Sequence, residues 1–329
     1  MDSKSNDFEA RRTVWDSKVP VEFTLDSSES VLASHQSCFM MLSRVSYFPV
    51  YLDKALKVLT SGDASEEQLL NVWLQFDGQI LRWHYPIGVL YDIYHGNAGD
   101  GQTTPWPITV HLKNFPDELI RCRTKETLKF CFLQSLKESC QLKLRSNIAA
   151  SMTKDEHGRL FDGLCNDRFN DFWMVNDKLM GLRSSSGEEQ FSTIPARFYE
   201  SSSSFRQLLL HSKKQLDDGN MGESLLTDAL HKVFPDYAIE TDFEAVTHGI
   251  VLPLNTPLIW LARNLVYPDN FVHIPYILRF MPQRWRIWFD SVLYPTCPVN
   301  KMETTNKSKT EENKTDGEGE TGTECEKDK

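Results

Sequence analysis

Val72-Trp73-Leu74-Gln75-Phe76-Asp77-Gly78-Gln79-Ile80-Leu81-Arg82-Trp83-His84-Tyr85-Pro86-Ile87-Gly88-Val89-Leu90 is the stretch from which the fold is read. Two alternating apolar runs are joined by Asp77-Gly78, a dipeptide that accepts the positive φ values of a tight hairpin turn. Val72, Leu74 and Phe76 fall on one face of the first strand, with Trp73 and Gln75 on the other, because side chains alternate along a strand. Pro86 ends the second strand and opens a short helix over Ile87 to Tyr94. Proline lacks the donor that a ladder needs but suits a helix start.

On the N-terminal side, Val19 to Leu25 alternates with period two and Cys38 to Leu42 reads as a second strand. From Pro49, Leu52, Ala55, Leu56 and Leu59 share one helical face. On the C-terminal side, the loop Gly96-Asn97-Ala98-Gly99-Asp100-Gly101 precedes a strand over Ile108 to Leu112. The order is β-β-α-β-β-α-β, which fits a mixed sheet packed across one main helix, the ubiquitin-like grasp.

The same order returns near the C-terminus. Ile194 to Tyr199 and Phe205 to Leu210 read as strands, and Leu226, Ala229, Leu230 and Val233 form a helical stripe stopped by Pro235. Glu244 to Leu252 includes a strand marked by Gly249, His248-Gly249-Ile250-Val251, Pro257 to Leu261 opens a short helix, and Phe271 to Ile274 closes the sheet. Two copies of one order point to an internal structural repeat. Between them the period becomes helical, with Leu128, Phe132, Leu136 and Cys140 on one face and Phe169, Phe172, Trp173 and Met180 on another. The class is α+β: two ubiquitin-like domains flank a helix-rich domain. The division is an N-terminal helix over 1–16, a first ubiquitin-like domain over 17–115, a helix-rich domain over 116–188, a second ubiquitin-like domain over 189–277 and a tail over 278–329. From Asn300 onward, Lys, Glu, Thr and Gly dominate without aromatics, a composition that stays disordered because it cannot bury enough apolar surface.

The net charge of −10 over 329 residues argues against a broad nucleic-acid footprint, which needs a basic face. Met1 to Arg12 is polar, with no secretory signal, and there is no uncharged apolar run of about 18 residues to span a bilayer. Seven scattered cysteines read as reduced thiols of a cytosolic protein. The Asn306 and Asn313 glycosylation patterns mean nothing without a secretory route.

Catalytic and metal motifs are missing: there is no HExxH, CxxC, GxSxG or Walker loop. Gly96, Gly99 and Gly101 follow a helix rather than a strand, which reads as a loop and not a dinucleotide site. Cys131 and Cys140 share neither a ligand spacing nor a face and read as small buried residues. His84, His111 and His273 sit in strand patterns and read as structural. No catalytic residue, metal ligand or cofactor is assigned, although a Cys and a His brought together in space stay possible.

Several segments together resemble the autophagy protein 5 family. They are Arg44-Val45-Ser46-Tyr47, Leu81 to Gly88, Pro105-Trp106-Pro107-Ile108-Thr109-Val110-His111, Asn166-Asp167-Arg168-Phe169 with Phe172-Trp173, and Leu265-Val266-Tyr267-Pro268-Asp269-Asn270-Phe271. They stand in the family's order and span residues 14–274. The resemblance implies two ubiquitin-like domains flanking a helix-rich one, and no enzyme activity of the chain alone. It implies an isopeptide bond between one lysine and the ubiquitin-like modifier autophagy protein 12, made by E1- and E2-like enzymes. It also implies binding of the N-terminal helix of the coiled-coil autophagy protein 16. The assembly would act like an E3 in transferring autophagy protein 8 to phosphatidylethanolamine. That places it in the cytoplasm and, through the complex, peripherally on the forming autophagosome membrane.

The family's acceptor lysine lies on a helix of the middle module and precedes Glu, and the matching run is Leu136-Lys137-Glu138. Lys137 falls about 100° around the helix from Leu136, at the edge of the buried face. From the residues alone it is one solvated lysine among several, including Lys129 and Lys143. Phe8, Arg11, Arg12 and Trp15 share a side of the N-terminal helix. Phe8, Arg11 and Trp15 are expected beside a groove between the ubiquitin-like domains that holds the partner helix; in a self-contained reading, Trp15 caps the first domain. Two rivals stay open: a Cys-His hydrolase of ubiquitin-like conjugates, and a helix-binding adaptor that is never conjugated. The family ends soon after the last strand, whereas this chain runs on to Lys329, and Pro275 puts the end of that strand in doubt. Tyr276 to Tyr294, mixing Arg279, Arg284 and Arg286 with aromatics, is expected to pack on the second ubiquitin-like domain, with an anionic lipid surface as the rival.

Overall fold

The structure, a computed structural model, describes residues 3–29, 36–95, 104–145, 148–180 and 193–278. The glycine loop at 96–101 and the tail from 279 onward, including most of the arginine- and aromatic-rich stretch, lie outside the described residues.

Helix α1 (Ser3–Asp16) leads into β1 (Lys18–Leu25) and β2 (Ser37–Ser43). There follow α2 (Pro49–Leu59), α3 (Glu66–Leu70), the hairpin β3 (Trp73–Phe76) and β4 (Gln79–Ile80), α4 (Ile87–His95) and β5 (Trp106–His111). The sheet order is β2-β1-β5-β3-β4, with the central β1 and β5 parallel and the other pairs antiparallel. Proline stands at the start of α2, and the helix buries Leu52, Ala55, Leu56 and Leu59 against the sheet, as the periodicity predicts. Asp77 and Gly78 have φ values of 46° and 75°, the paired positive values of a tight hairpin turn.

The helical module comprises α5 (Lys125–Leu144), α6 (Ile148–Ser151), α7 (Lys154–Cys165) and α8 (Phe169–Asn176). The second sheet is built from β6 (Thr193–Tyr199), β7 (Phe205–His211), β10 (Phe243–Thr247), β11 (Ile250–Val251) and β12 (Val272–Leu278). Between them lie the ribbon β8 (Lys213–Gln215) and β9 (Met221–Glu223), with helices α9 (Leu226–Val233), α10 (Ile239–Asp242) and α11 (Leu258–Asn264). Its order β7-β6-β12-β10-β11, with β6 and β12 parallel, repeats the first sheet. The repeat therefore exists in topology, and α9 buries the expected stripe where α2 does in the first copy.

Four local expectations need correcting. The second strand of the first hairpin ends at Ile80: Leu81 N–H still bonds Leu74 O in register, but the chain then turns, with Trp83 N–H donating to Leu81 O and Tyr85 N–H to Arg82 O, both at 2.9 Å. His84 consequently sits in a turn, not a strand. The strand expected over His248 to Val251 is instead the turn and second arm of a hairpin, with His248 and Gly249 at φ 51° and 76°. Finally, β12 continues through Pro275. That residue pairs with Tyr199 at the end of β6, one position before pairing with β10 begins at Tyr276. The missing donor thus falls where β12 changes neighbours.

The cores do not follow the three-part division. Leu128, Phe132 and Leu136 of α5 pack in one apolar core with Phe198 and Ile274 of the second sheet, while the first sheet and α2 form another, joined by Tyr199 and Tyr267. Between the two sheets, Arg44 and Asp92 form a buried ion pair, and the second Asp92 oxygen accepts the Gly249 N–H at 2.9 Å. Gly88 is required at this contact, since a Cβ there would lie 2.7 Å from Tyr267 Oη and 2.9 Å from Arg44 O.

The same contact sets a pH dependence. His248 is buried against Tyr267, its Nε2 donates to Leu265 O at 3.1 Å, and burial followed by the Arg44 charge pushes its pKa down to about 3. An unfolded histidine titrates near 6.5, so on acidification the unfolded chain takes up the proton first. The stabilisation is full above that pH and is lost as pH falls toward 3. From pH 7 to 5 this one group is expected to cost about 2 kcal/mol. Urea unfolding of His248→Gln across that range should show a decline smaller by that amount; an unchanged decline contradicts it.

Candidate functional site

Helix α5 has no glycine or proline along its length. Thr124 caps its start by accepting the Thr127 N–H at 3.2 Å, and Arg145, at φ 50°, ends it. Leu128, Phe132, Leu136 and Cys140 are buried on the predicted stripe, joined by Ser139 and Lys143.

A polar network ties this helix to the second sheet. Ser139 Oγ donates to Asp269 O at 2.5 Å and Ser135 Oγ to Asp269 Oδ2 at 3.1 Å. His273 lies between Asp269, 3.1 Å from Nε2, and the Tyr199 hydroxyl, 2.7 Å from Nδ1. Burial alone would raise the Asp269 carboxyl, but the His273 charge and hydrogen bond, with Arg197 behind them, hold it below its ordinary range. Glu138 accepts from Gln207 at 2.8 Å and from Arg197 at 3.3 Å, and that guanidinium lies 3.6 Å over the Phe271 ring. His273 is buried within this network, which carries no sequence signal because its members are far apart in the chain.

Lys137 is on the flank of this clamped face. It is half-buried, and its ammonium has no hydrogen bond or ion pair among the described residues. The stripe it shares, Phe130, Gln134 and Gln141, is exposed. Of the other lysines of α5, Lys125 is exposed at the first position of the helix, and the remaining two differ. Lys143 is buried, which pushes its pKa down to about 8, and Lys129 lies against the Phe161 ring. Burial withdraws Lys143 from any large partner, a distinction that sequence could not make.

Helix α1 anchors through the residues singled out above. Trp15 is buried on Phe169 and Phe172, and Phe8 meets Phe169 edge-on at 5.5 Å. Arg11 lies over Trp173 and donates to Arg263 O at 2.8 Å. These side chains face α8 and the helical module. Trp15 does not simply cap the first sheet. The opposite side of α1, Glu9, Ala10 and Thr13, faces a groove of about 440 Å³ whose far wall includes Ile250, Leu252, Trp260 and Leu265. Ile250 and Trp260 are exposed at 46% and 40%. The apolar wall suits the stripe of an amphipathic helix, and it is lined by α1, β11, α11 and the loops beside them, with no residue of the first sheet.

The five described cysteines are buried or half-buried, and burial raises every one of their thiols, Cys122 to about 12 and Cys165 to about 11. A nucleophilic cysteine needs the opposite shift.

Residues 14–112 match the family model described as Autophagy protein ATG5, UblA domain, residues 125–182 its alpha-helical bundle region, and residues 193–275 its UblB domain. Autophagy protein 5 of Drosophila melanogaster is 34% identical over 272 residues, covering 82% of this chain and 97% of the relative. Autophagy-related protein 5 of Caenorhabditis elegans is 33% identical over 280 residues, covering 83% and 98%. The crystal structure of Kluyveromyces marxianus Atg5 superposes with a TM-score of 0.66 at 18% identity, over 82% of this chain and 99% of that one, a likeness of fold.

Proposed function

We propose that this chain, which belongs to the autophagy protein 5 family and so has a role in autophagy, is a non-catalytic scaffold joined by an isopeptide bond to the ubiquitin-like modifier autophagy protein 12. The observation that carries the proposal is Lys137, an ammonium with no hydrogen bond or ion pair among the described residues, on a helix tied to the second sheet by the Ser135, Glu138 and Ser139 contacts. In the reaction the Lys137 amine attacks the thioester carbonyl carried by the E2-like enzyme; the C–N bond forms, the C–S bond breaks, and the enzyme thiolate leaves. The amine must give up a proton to form the amide. The proton is therefore removed with the help of the conjugating enzyme, since no described carboxylate or imidazole is paired with this amine. The conjugate then acts E3-like in transfer of autophagy protein 8 to phosphatidylethanolamine, in the cytoplasm and peripherally at the forming autophagosome membrane. Reconstitution with the modifier and its E1- and E2-like enzymes should give a denaturant-resistant species heavier by one modifier. A product that disappears under thiol reduction, or none at all, rejects the proposal. The raised cysteine thiols weigh against the hydrolase reading, and the gel also separates the scaffold from an adaptor that is never conjugated.

The groove beside α1 is the proposed seat of the N-terminal helix of autophagy protein 16. Phe8, Arg11 and Trp15 then act by holding α1 in place rather than by touching the partner. Trp260→Ala removes a half-exposed aromatic at the wall and should leave the fold intact while weakening binding of that helix by at least about tenfold. Titration of the labelled helix into both proteins measures this, and equal affinities would move the seat elsewhere. Residues 1–115 alone should bind poorly, because one wall would be missing.

A further inference from the structure

Asp26, Glu29 and His111 converge beside the first sheet, away from α5 and the groove, with one ligand-capable atom of each within 4.8 Å of the others. The topology brings them together. Leu25 pairs with Val110 across the parallel strands, and Asp26 N–H donates to Val110 O at 3.0 Å. His111 Nδ1 stands 3.5 Å from Glu29 Oε1 and 4.0 Å from Asp26 Oδ2.

Each side chain is oriented by its other polar atom. His111 Nε2 donates to Gln75 Oε1 at 3.0 Å, Leu112 N–H donates to Glu29 Oε2 at 2.7 Å, and Ser28 donates to Asp26 Oδ1 through N–H and hydroxyl. Those Ser28 bonds hold the Asp26 carboxyl below its ordinary range. The Trp73 ring stacks on the imidazole at 3.9 Å, and its indole N–H donates to Lys113 O at 2.8 Å. Outer contacts of this kind aim the ligands of a metal.

With Nε2–H directed at Gln75 Oε1, Nδ1 is the ring atom that faces the two carboxylates. The three ligand atoms, within 4.8 Å of one another, converge on one point where a cation can sit. Nδ1 lies 3.5 and 4.0 Å from the carboxylate oxygens, too far for good hydrogen bonds and spaced as ligands of one shared ion are. A metal ion at the centre can bind all three. We propose that Asp26, Glu29 and His111 form a Zn²⁺ site of one nitrogen and two oxygen ligands, with water completing the shell. Zinc bonds of about 2.0–2.2 Å set tetrahedral ligand atoms roughly 3.4 Å apart. The Glu29–His111 separation already fits, and Asp26, whose side chain is 29% exposed, closes in. The imidazole favours zinc over the hard ions Mg²⁺ and Ca²⁺. The ion pins the segment after β1 to the central strand pair.

The test is calorimetric titration of ZnCl₂ into the chelator-stripped full chain at pH 7, with Co²⁺ absorption reporting ligand type. One Zn²⁺ per chain, a raised melting temperature and Co²⁺ bands without thiolate charge transfer are expected. Asp26→Asn and Glu29→Gln, which keep size and fold, should each weaken binding at least about tenfold. No saturable uptake leaves a proton as the cation and overturns the proposal. A thiolate band from the bound ion, or affinity unchanged in both variants, places the ion elsewhere and overturns it as well.

Discussion

Lys137→Arg is expected to keep the fold and to abolish the modifier-linked species. Arginine preserves the charge and most of the aliphatic stem that lies half-buried on α5, so packing changes little. Its guanidinium stays protonated at any working pH and offers no nucleophilic nitrogen. The loss should therefore be complete rather than graded, while the thermal melt stays within about 0.5 kcal/mol of the parent, as for most surface changes. Lys129→Arg, on the same helix but against Phe161, should conjugate normally. A Lys137→Arg variant that conjugates at full yield means that another lysine is the acceptor.

Asp92→Ala is expected to destabilise the protein by about 3–5 kcal/mol, the usual cost of leaving one member of a buried ion pair alone. Arg44 would keep its charge in a site where its side chain is 8% exposed, and the Gly249 N–H would lose its acceptor. Arg44→Met combined with Asp92→Leu removes both charges and should recover much of the loss, since well-packed apolar pairs replace buried ion pairs at little net cost. Urea unfolding of the single and double variants measures this. A loss below about 1 kcal/mol for Asp92→Ala would show that the pair does not hold the two sheets together.

Much of the fold was legible because it rests on local chemistry. The Asp77-Gly78 turn, the proline at the start of α2 and the stripe on α5 each follow from residues close in sequence. The misreadings share a cause. His248-Gly249 forms the same turn as Asp77-Gly78, but histidine carries no turn preference that flags it. Ile80 ends its strand because the backbone turns over residues 81–85, a bend that the alternation of apolar residues does not show. Pro275 is tolerated because β12 changes neighbours there, a fact of topology. The candidate site was less legible. Periodicity put Lys137 at the edge of a buried face, but the clamp that orients its helix joins residues 135–139, 197–207 and 269–273. The face of α1 that lines the groove was not visible either, since α1 has apolar or aliphatic surface on both sides.

The central claim is that Lys137 receives the modifier, and peptide mapping of the conjugate tests it most directly. Modification blocks trypsin at Lys137, so the digest should contain one branched peptide, residues 130–143, carrying the modifier's C-terminal residues on Lys137. A branched peptide centred on any other lysine, with residues 130–137 recovered unmodified, would contradict it.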